Sequence, residues 1–299
     1  MTILLVGGTG LLGGAIAREL APRGHIVRAL VRSGRNTATL RELGVALEAG
    51  DMADPRALRR VLRGARVVIS TAQGNPLSRQ QPMRRIDGTA TLGLIEQARL
   101  AGVEHFVFVS ALKADVGAPH VPQLAYKLAA EQALQASGMA YTILRPSSFH
   151  ETFGDYFAPF KRVLDRFGIG LTMGSGRGQH SFVAVPDVAR AAALALELPA
   201  ARNQVVPIGG PADLSYRDAY RLIRQVTGRR VPIVPIPRPL LSLGGALARP
   251  ILPELAGFFA FFRFFDSYGY TCETPGWLLD ALGARITLED SLRRFFVSS

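Results

Sequence analysis

"LLVGGTGLLGG", residues 4–14, is the stretch on which the fold turns. An apolar run, Ile3–Val6, breaks into glycine and resumes as an amphipathic segment over 11–21. Gly7, Gly10 and Gly13 fall at i, i+3 and i+6. Between a buried strand and a helix, that spacing has a physical reason. The first glycine allows a sharp turn, the second leaves no side chain between backbone and a pyrophosphate, and the third lets helix and strand pack closely. The helix starting near Leu11 offers free N–H groups and the positive end of its dipole. Gly7, Thr9, Gly10, Leu11, Leu12 and Gly13 are therefore expected to cradle dinucleotide phosphates.

Outward from this loop, strands and helices alternate. Ile3–Val6, Ile26–Val31, Val45–Ala49, Val67–Ser70, Phe106–Val109 and Tyr141–Leu144 read as buried parallel strands. Residues 11–21, 54–63, 82–101 and 122–137 read as helices, and 34–43 as a weaker one. The alternation predicts an α/β fold, a doubly wound parallel sheet of the Rossmann type covered on both faces. Residues 1–150 form the dinucleotide-binding domain, to which the chain returns at about 180–210. Residues 151–299 form a smaller α/β lobe for substrate or partner. Within 151–235, a helix is expected at 187–198, a strand at 204–208 and a helix at 215–227 with Ser215 near its start. Pro232, Pro235, Pro237, Pro239, Pro250 and Pro253 punctuate an apolar stretch that ends in "GFFAFFRFF".

The second strand bears on the choice of cofactor. A site for NAD places an acid about 20 residues beyond the loop, on the ribose 2′-hydroxyl. No acid occurs from Leu20 through Arg41. "IVRALV" leads instead into Arg32-Ser33-Gly34-Arg35, donors suited to a phosphate. NADP(H) is expected over NAD(H), with Arg32, Ser33 and Arg35 on the 2′-phosphate. In "AGDMAD", Asp51 is placed to accept from the adenine amino group, with Met52 against the ring. Asp54 is expected to cap the helix from Pro55. "STAQG" ends the fourth strand, where ligands lie in open parallel sheets, so Thr71 and Ala72 join the site.

Composition narrows the field. The formal charge is +12, and Lys occurs only at 113, 127 and 161. From Arg18 to Arg85 there are 14 Arg against five acids. No aromatic residue lies among the first hundred, and no helix-turn-helix or zinc-finger spacing is visible, so nucleic acid is not the expected partner. Cys272 is the sole cysteine and the five histidines are scattered, so neither a disulfide framework within the chain nor a metal site is expected. Arg249, Glu254 and three prolines interrupt 239–262, which argues against a membrane span. The chain opens straight into "TILLVGG" without a basic, apolar leader, and a cytoplasmic location is expected.

"GGTGLLGG", "GDMAD", "RRIDGTATLGLIEQARLAGVEHFVFVSA", "LAYKLAAEQALQASGMAYTILRPSSF", "SFVAVPDVARAAALAL" and "VVPIGGPADLSYRDAYRLI" together resemble the atypical short-chain dehydrogenase/reductases, in particular NmrA-like NAD(P)-binding proteins. The resemblance implies a sheet order near 3-2-1-4-5-6 and a small lobe over the substrate. It implies catalytic roles for Ser110, at the end of strand five, and for Lys127, which would also bind the nicotinamide ribose. Pro146, Ser148 and Phe149 in "LRPSSF" would meet the nicotinamide amide. Catalytic members carry Tyr four residues before this Lys; here that residue is Gln123, and an amide is no useful acid. Tyr126 is no substitute, because helical neighbours point about 100° apart. His120 and His150 are replacement acids to test, beside Lys127 and water. Asp187 in "VPDVA" reads as a helix cap.

Two functions fit. One is an NADPH-dependent oxidoreductase acting on a quinone or other carbonyl-type acceptor near Ser110 and Phe149. The other is an NADP(H)-binding sensor or assembly subunit without turnover. Residues 255–265 read as core, as the lid of a pocket, or as a contact for a protein or membrane surface.

Overall fold

The computed structural model describes residues 1–75, 78, 80–154, 158–250 and 253–297. Six strands lead the chain: β1 (Thr2–Val6), β2 (Ile26–Val31), β3 (Ala46–Ala49), β4 (Val67–Ser70), β5 (His105–Val109) and β6 (Ala140–Pro146). Two short ones, β7 (Gly170–Met173) and β8 (Gln179–His180), precede β9 (Gln204–Ile208). β9 pairs in parallel with β6 and completes a seven-stranded sheet of order β3-β2-β1-β4-β5-β6-β9. The order reverses between β1 and β4, and that switch point opens a crevice at the carboxyl edge.

Alternation along the strands divides the core. Ile3 and Leu5 point to one face, where they pack with Ile16 and Leu20 of α1 (Leu11–Leu20). Leu4 and Val6 point to the other, toward Leu58 and Val61. Helices α2 (Ala38–Glu42), α3 (Pro55–Val61), α4 (Thr91–Leu100), α5 (Ala114–Gly117) and α6 (Pro122–Gln135) complete the first half. Asp54 caps α3 as expected, its carboxylate accepting from the Arg56 N–H at 2.8 Å.

The helix expected over 82–101 is divided. Arg84–Ala90 forms wide, π-type turns before α4 begins. The Thr91 hydroxyl donates to the Ile86 carbonyl five residues back, at 2.7 Å, and supports the widening. Such turns recur at functional sites, and this one brings Asp87 to Lys127, which lines the crevice.

The second half builds a smaller lobe. After α7 (Ala158–Phe167) and α8 (Val185–Leu194), the pair β10 (Leu214–Ser215) and α9 (Tyr216–Thr227) follows. Ser215 is the N-cap of α9 in a reciprocal box with Asp218. β11 (Ile233–Ile236) pairs with β7. Helices α10 (Arg238–Ala248), α11 (Pro253–Tyr268), α12 (Gly276–Leu282) and α13 (Leu288–Phe296) close the chain. Phe153, Phe182, Tyr220, Ile223 and Leu292 form the core of the lobe. Helices α8 and α12 pack on the main sheet instead, through Val188, Ala192, Leu278 and Leu282.

Asp187 is not a cap. Ala184 holds that position, and the buried Asp187 carboxylate, inside the first turn of α8, accepts from the Ile286 N–H at 2.9 Å. Among the described residues, no helix is long and apolar enough to cross a membrane.

Candidate functional site

The crevice holds a cavity of about 250 Å³. Gly7 sits at φ 91°, and its carbonyl accepts from the Gly10 N–H at 2.9 Å, which closes the turn. A Cβ on Gly13 would lie 2.2 Å from the Gly7 oxygen, so only glycine permits this approach of helix to strand. No acid occupies the first turn of α1 and no side chain caps it. Free amides at a helix start form a ready anion site. The loop therefore fits a pyrophosphate.

Gly7, Thr9, Gly10, Leu11, Leu12, Gly13, Arg32, Arg35, Asp51, Met52, Thr71, Ala72, Ser110, Lys127 and Phe149 all line this cavity. Three expected residues do not. Ser33 is exposed in the loop after β2 and off the cavity wall. Pro146 is buried in β6, its carbonyl accepting from the Leu112 N–H at 3.1 Å. Ser148 points the other way from Phe149, as successive extended residues do, and meets His180 Nδ1 at 2.9 Å in a separate small cavity under Phe261 and Phe265.

Lys127 is largely buried, with Nζ 3.0 Å from Asp87 and 3.3 Å from the Val109 carbonyl that accepts from it. The ammonium donates to that carbonyl and pairs with Asp87 by charge, which leaves donor capacity for the cavity. Asp87 is fixed in turn by the Gly74 N–H, at 2.8 Å.

Ser110 behaves differently. Its hydroxyl donates to the buried Glu131 carboxylate. Arg145 grips that carboxylate at 3.0 and 2.6 Å and reaches Asp115 at 2.9 Å. A carboxylate so held only accepts, so the Ser110 proton points away from the cavity and the oxygen offers it lone pairs.

The remaining acid candidates lie off the cavity wall. Tyr126 lays its ring across Gly88, and burial, then the nearby Glu254 charge, pushes its phenol above the ordinary range. His120 stacks on Phe264 and Tyr268 at the surface. His150 is fully buried between Ser291 Oγ (2.8 Å) and the Phe182 carbonyl (3.0 Å). A carbonyl only accepts, so Nε2 carries the ring proton. Desolvation lowers the His150 pKa to about 4.

Gln123 has its own use. With its nitrogen donating to the Gly257 carbonyl (3.3 Å) and its oxygen accepting from the Phe258 N–H (3.2 Å), the amide fastens α11 onto α6. Phe264 and Phe265 of α11 are buried against Leu112, Val121, Leu124 and Tyr270. Phe264 and Phe265 thus belong to the core, one of the readings of 255–265, while Phe258, Phe259, Phe261 and Phe262 are partly exposed.

Sequence reasoning missed Asp87, Glu131, Arg145 and the cavity-lining Gln73, Gln81, Ile86, Val109 and Val185. A signal existed for Glu131, which stands four residues after Lys127 and so on the same helix face. Asp87 had none beyond being an acid inside an apolar helical run.

The NmrA-like family model matches residues 1–283. The chain belongs to the NmrA-like family. An NAD(P)H azoreductase from Xenophilus azovorans is 34% identical over 236 residues, which cover 78% of this chain and 77% of that protein. The photosystem II assembly factor Ycf39 of Cyanophora paradoxa is 31% identical over 244 residues, 81% of this chain and 74% of that one. Among solved structures, an NADPH-dependent quinone oxidoreductase from Escherichia coli, QOR2, aligns with a TM-score of 0.78 at 22% identity, over 98% of this chain and 99% of its own; that likeness is one of fold. The structural match agrees with the doubly wound sheet.

Proposed function

We propose that this protein binds NADPH in the crevice and reduces a small planar acceptor of the quinone or azo class. The observation that carries the reading is the cavity wall itself. A glycine turn fits the pyrophosphate, two arginines stand where an NAD site would hold an acid, and a buried lysine faces the far end. Arg32 and Arg35 suit a 2′-phosphate, and Asp51 suits the adenine amino group. When bound, NADPH supplies the hydride.

Lys127 holds the ribose end and presents an ammonium proton, with Asp87 fixing its position. Ser110, its proton turned to Glu131, accepts a hydrogen bond rather than giving one. A site without a hydroxyl acid facing the cavity suits acceptors that take hydride readily and draw their proton from Lys127 or water. The names of the azoreductase and quinone oxidoreductase relatives support this class.

The second reading is a dinucleotide-responsive assembly factor without turnover. The Gln123–Gly257 fastening favours it, because the position of the usual acid serves packing. The match to an assembly factor also supports it. Fluorescence titration with NADPH and NADH, followed by NADPH absorbance against quinones, azo dyes and enones, separates the two. Saturable NADPH binding with no oxidation by any acceptor would refute the reductase reading.

A further inference from the structure

We infer that α10 is a surface helix that lies on an anionic lipid bilayer. This inference is independent of any turnover at the crevice.

The base of the device is α11, fastened at both ends. At its start, Gln123 grips Gly257 and Phe258, and the Glu254 carboxylate accepts from the Arg84 N–H at 3.1 Å. At its end, Lys113, held in the left-handed region at φ 55°, donates Nζ to the Tyr268 and Gly269 carbonyls at 2.8 and 3.1 Å. Helix α10 rides on this base. Gly244 and Gly245 let it approach the Phe259 ring, Leu241 is buried, and Arg263 donates to Ser242 at 3.1 Å.

What α10 turns outward is apolar. Leu240, Leu243 and Leu247 are 57%, 55% and 66% exposed. They fall at i, i+3 and i+7, which is one helical face. Every acid of the α10–α11 hairpin is engaged: Glu254 by the Arg84 amide, Asp266 by Arg238 at 2.6 Å and by Ser175. Arg249 and Arg263 are exposed at the hairpin and carry no ion pair among the described residues. The whole chain adds a surplus of +12.

Three occupants are conceivable for such a face. A second copy would set arginine against arginine with no acid left to answer it, which costs rather than stabilises. A protein partner is met at aromatic and arginine anchors seated in pockets, and leucine is under-represented among them. Here the exposed large apolar side chains of the helix are leucines, with no aromatic among them. Three exposed leucines, with the exposed Arg249 just beyond the helix and Arg263 on α11 beside it, suit a helix that rests its apolar side at the acyl boundary with those guanidinium groups at the phosphates.

The test is flotation of the full-length protein with phosphatidylcholine–phosphatidylglycerol vesicles and with phosphatidylcholine alone. The wild type is expected to float with the anionic vesicles and to be released by high salt. Leu240→Ser/Leu243→Ser/Leu247→Ser should lower recovery by about tenfold or more while thermal unfolding stays unchanged, because those side chains pack against little. Leu247→Ser alone is the fallback should the triple variant lose its fold. No flotation of the wild type, equal recovery on neutral vesicles, or undiminished recovery of the leucine variants would each overturn the inference. So would a concentration-dependent dimer abolished by the same substitutions.

Discussion

Lys127 and Asp87 form an ion pair whose side chains are 11% and 2% exposed, at 3.0 Å. At an effective dielectric of about 20, Coulomb's law gives roughly 5 kcal/mol of attraction at that distance. Desolvation offsets part of it, and removing one partner leaves the other charge stranded. Lys127→Met should therefore destabilise the cofactor-free protein by about 3–5 kcal/mol, and Asp87→Asn by a similar amount. The double variant should cost much less than the sum of the singles, because it strands no charge; a coupling of about 3 kcal/mol is expected. Urea unfolding of the four proteins measures it. Additive losses, or single variants within about 0.5 kcal/mol of wild type, would refute the pair as drawn. The same series separates roles at the crevice. The double variant recovers stability without recovering the ammonium, so its NADPH affinity and turnover should stay depressed.

Other substitutions probe the crevice and the buried histidines. Arg32→Ala should weaken NADPH by about 10- to 100-fold with NADH little changed, since one charge-assisted contact is lost; equal losses in a fluorescence titration would remove Arg32 from the phosphate site. Gly13→Ala drives a methyl group into the Gly7 carbonyl and should abolish dinucleotide binding, so an unaltered titration would contradict the loop geometry. Tyr126→Phe should leave turnover within about twofold, less than 0.5 kcal/mol in the barrier, and a large loss would restore Tyr126 as a candidate acid. His105, His150 and His180 are each lowered to about 4, chiefly by burial. Their folded pKa lies below the unfolded value, so stability is full above about pH 6.5 and falls as pH drops toward 4, by about 3 kcal/mol per histidine. His150→Asn should flatten that slope, as read from urea midpoints across the range; an unchanged slope would contradict the assignment.

The strands of the sheet were legible to within a residue or two at most ends, because a buried parallel strand is written locally as an apolar run. The glycine spacing and the acid-free second strand located the crevice for the same local reason. Where two residues meet across the fold, sequence was silent. Nothing at 87 announces a partner at 127, and nothing at 145 announces Glu131. The resemblance of "LRPSSF" placed Ser148 at the cofactor beside Phe149, yet neighbours in an extended segment face opposite sides. The widened turn at 84–90 also escaped notice, since its apolar pattern reads as an ordinary helix. The three lysines were informative through their scarcity: Lys113 tethers α11, Lys127 faces the cavity, and Lys161 makes a helical ion pair with Asp165.

The fastening of Gln123 to α11 has a consequence for redesign. A Cβ at Gly257 would already stand 2.5 Å from the Gln123 amide. A phenol ring at position 123 needs more room than that amide. Grafting a tyrosine there to install the missing acid would first lift α11, and with it Phe264, Phe265 and the mounting of α10. Position 123 is a rivet between two helices, so one substitution there does not deliver a proton donor, and an engineer seeking one must start from the residues that line the crevice.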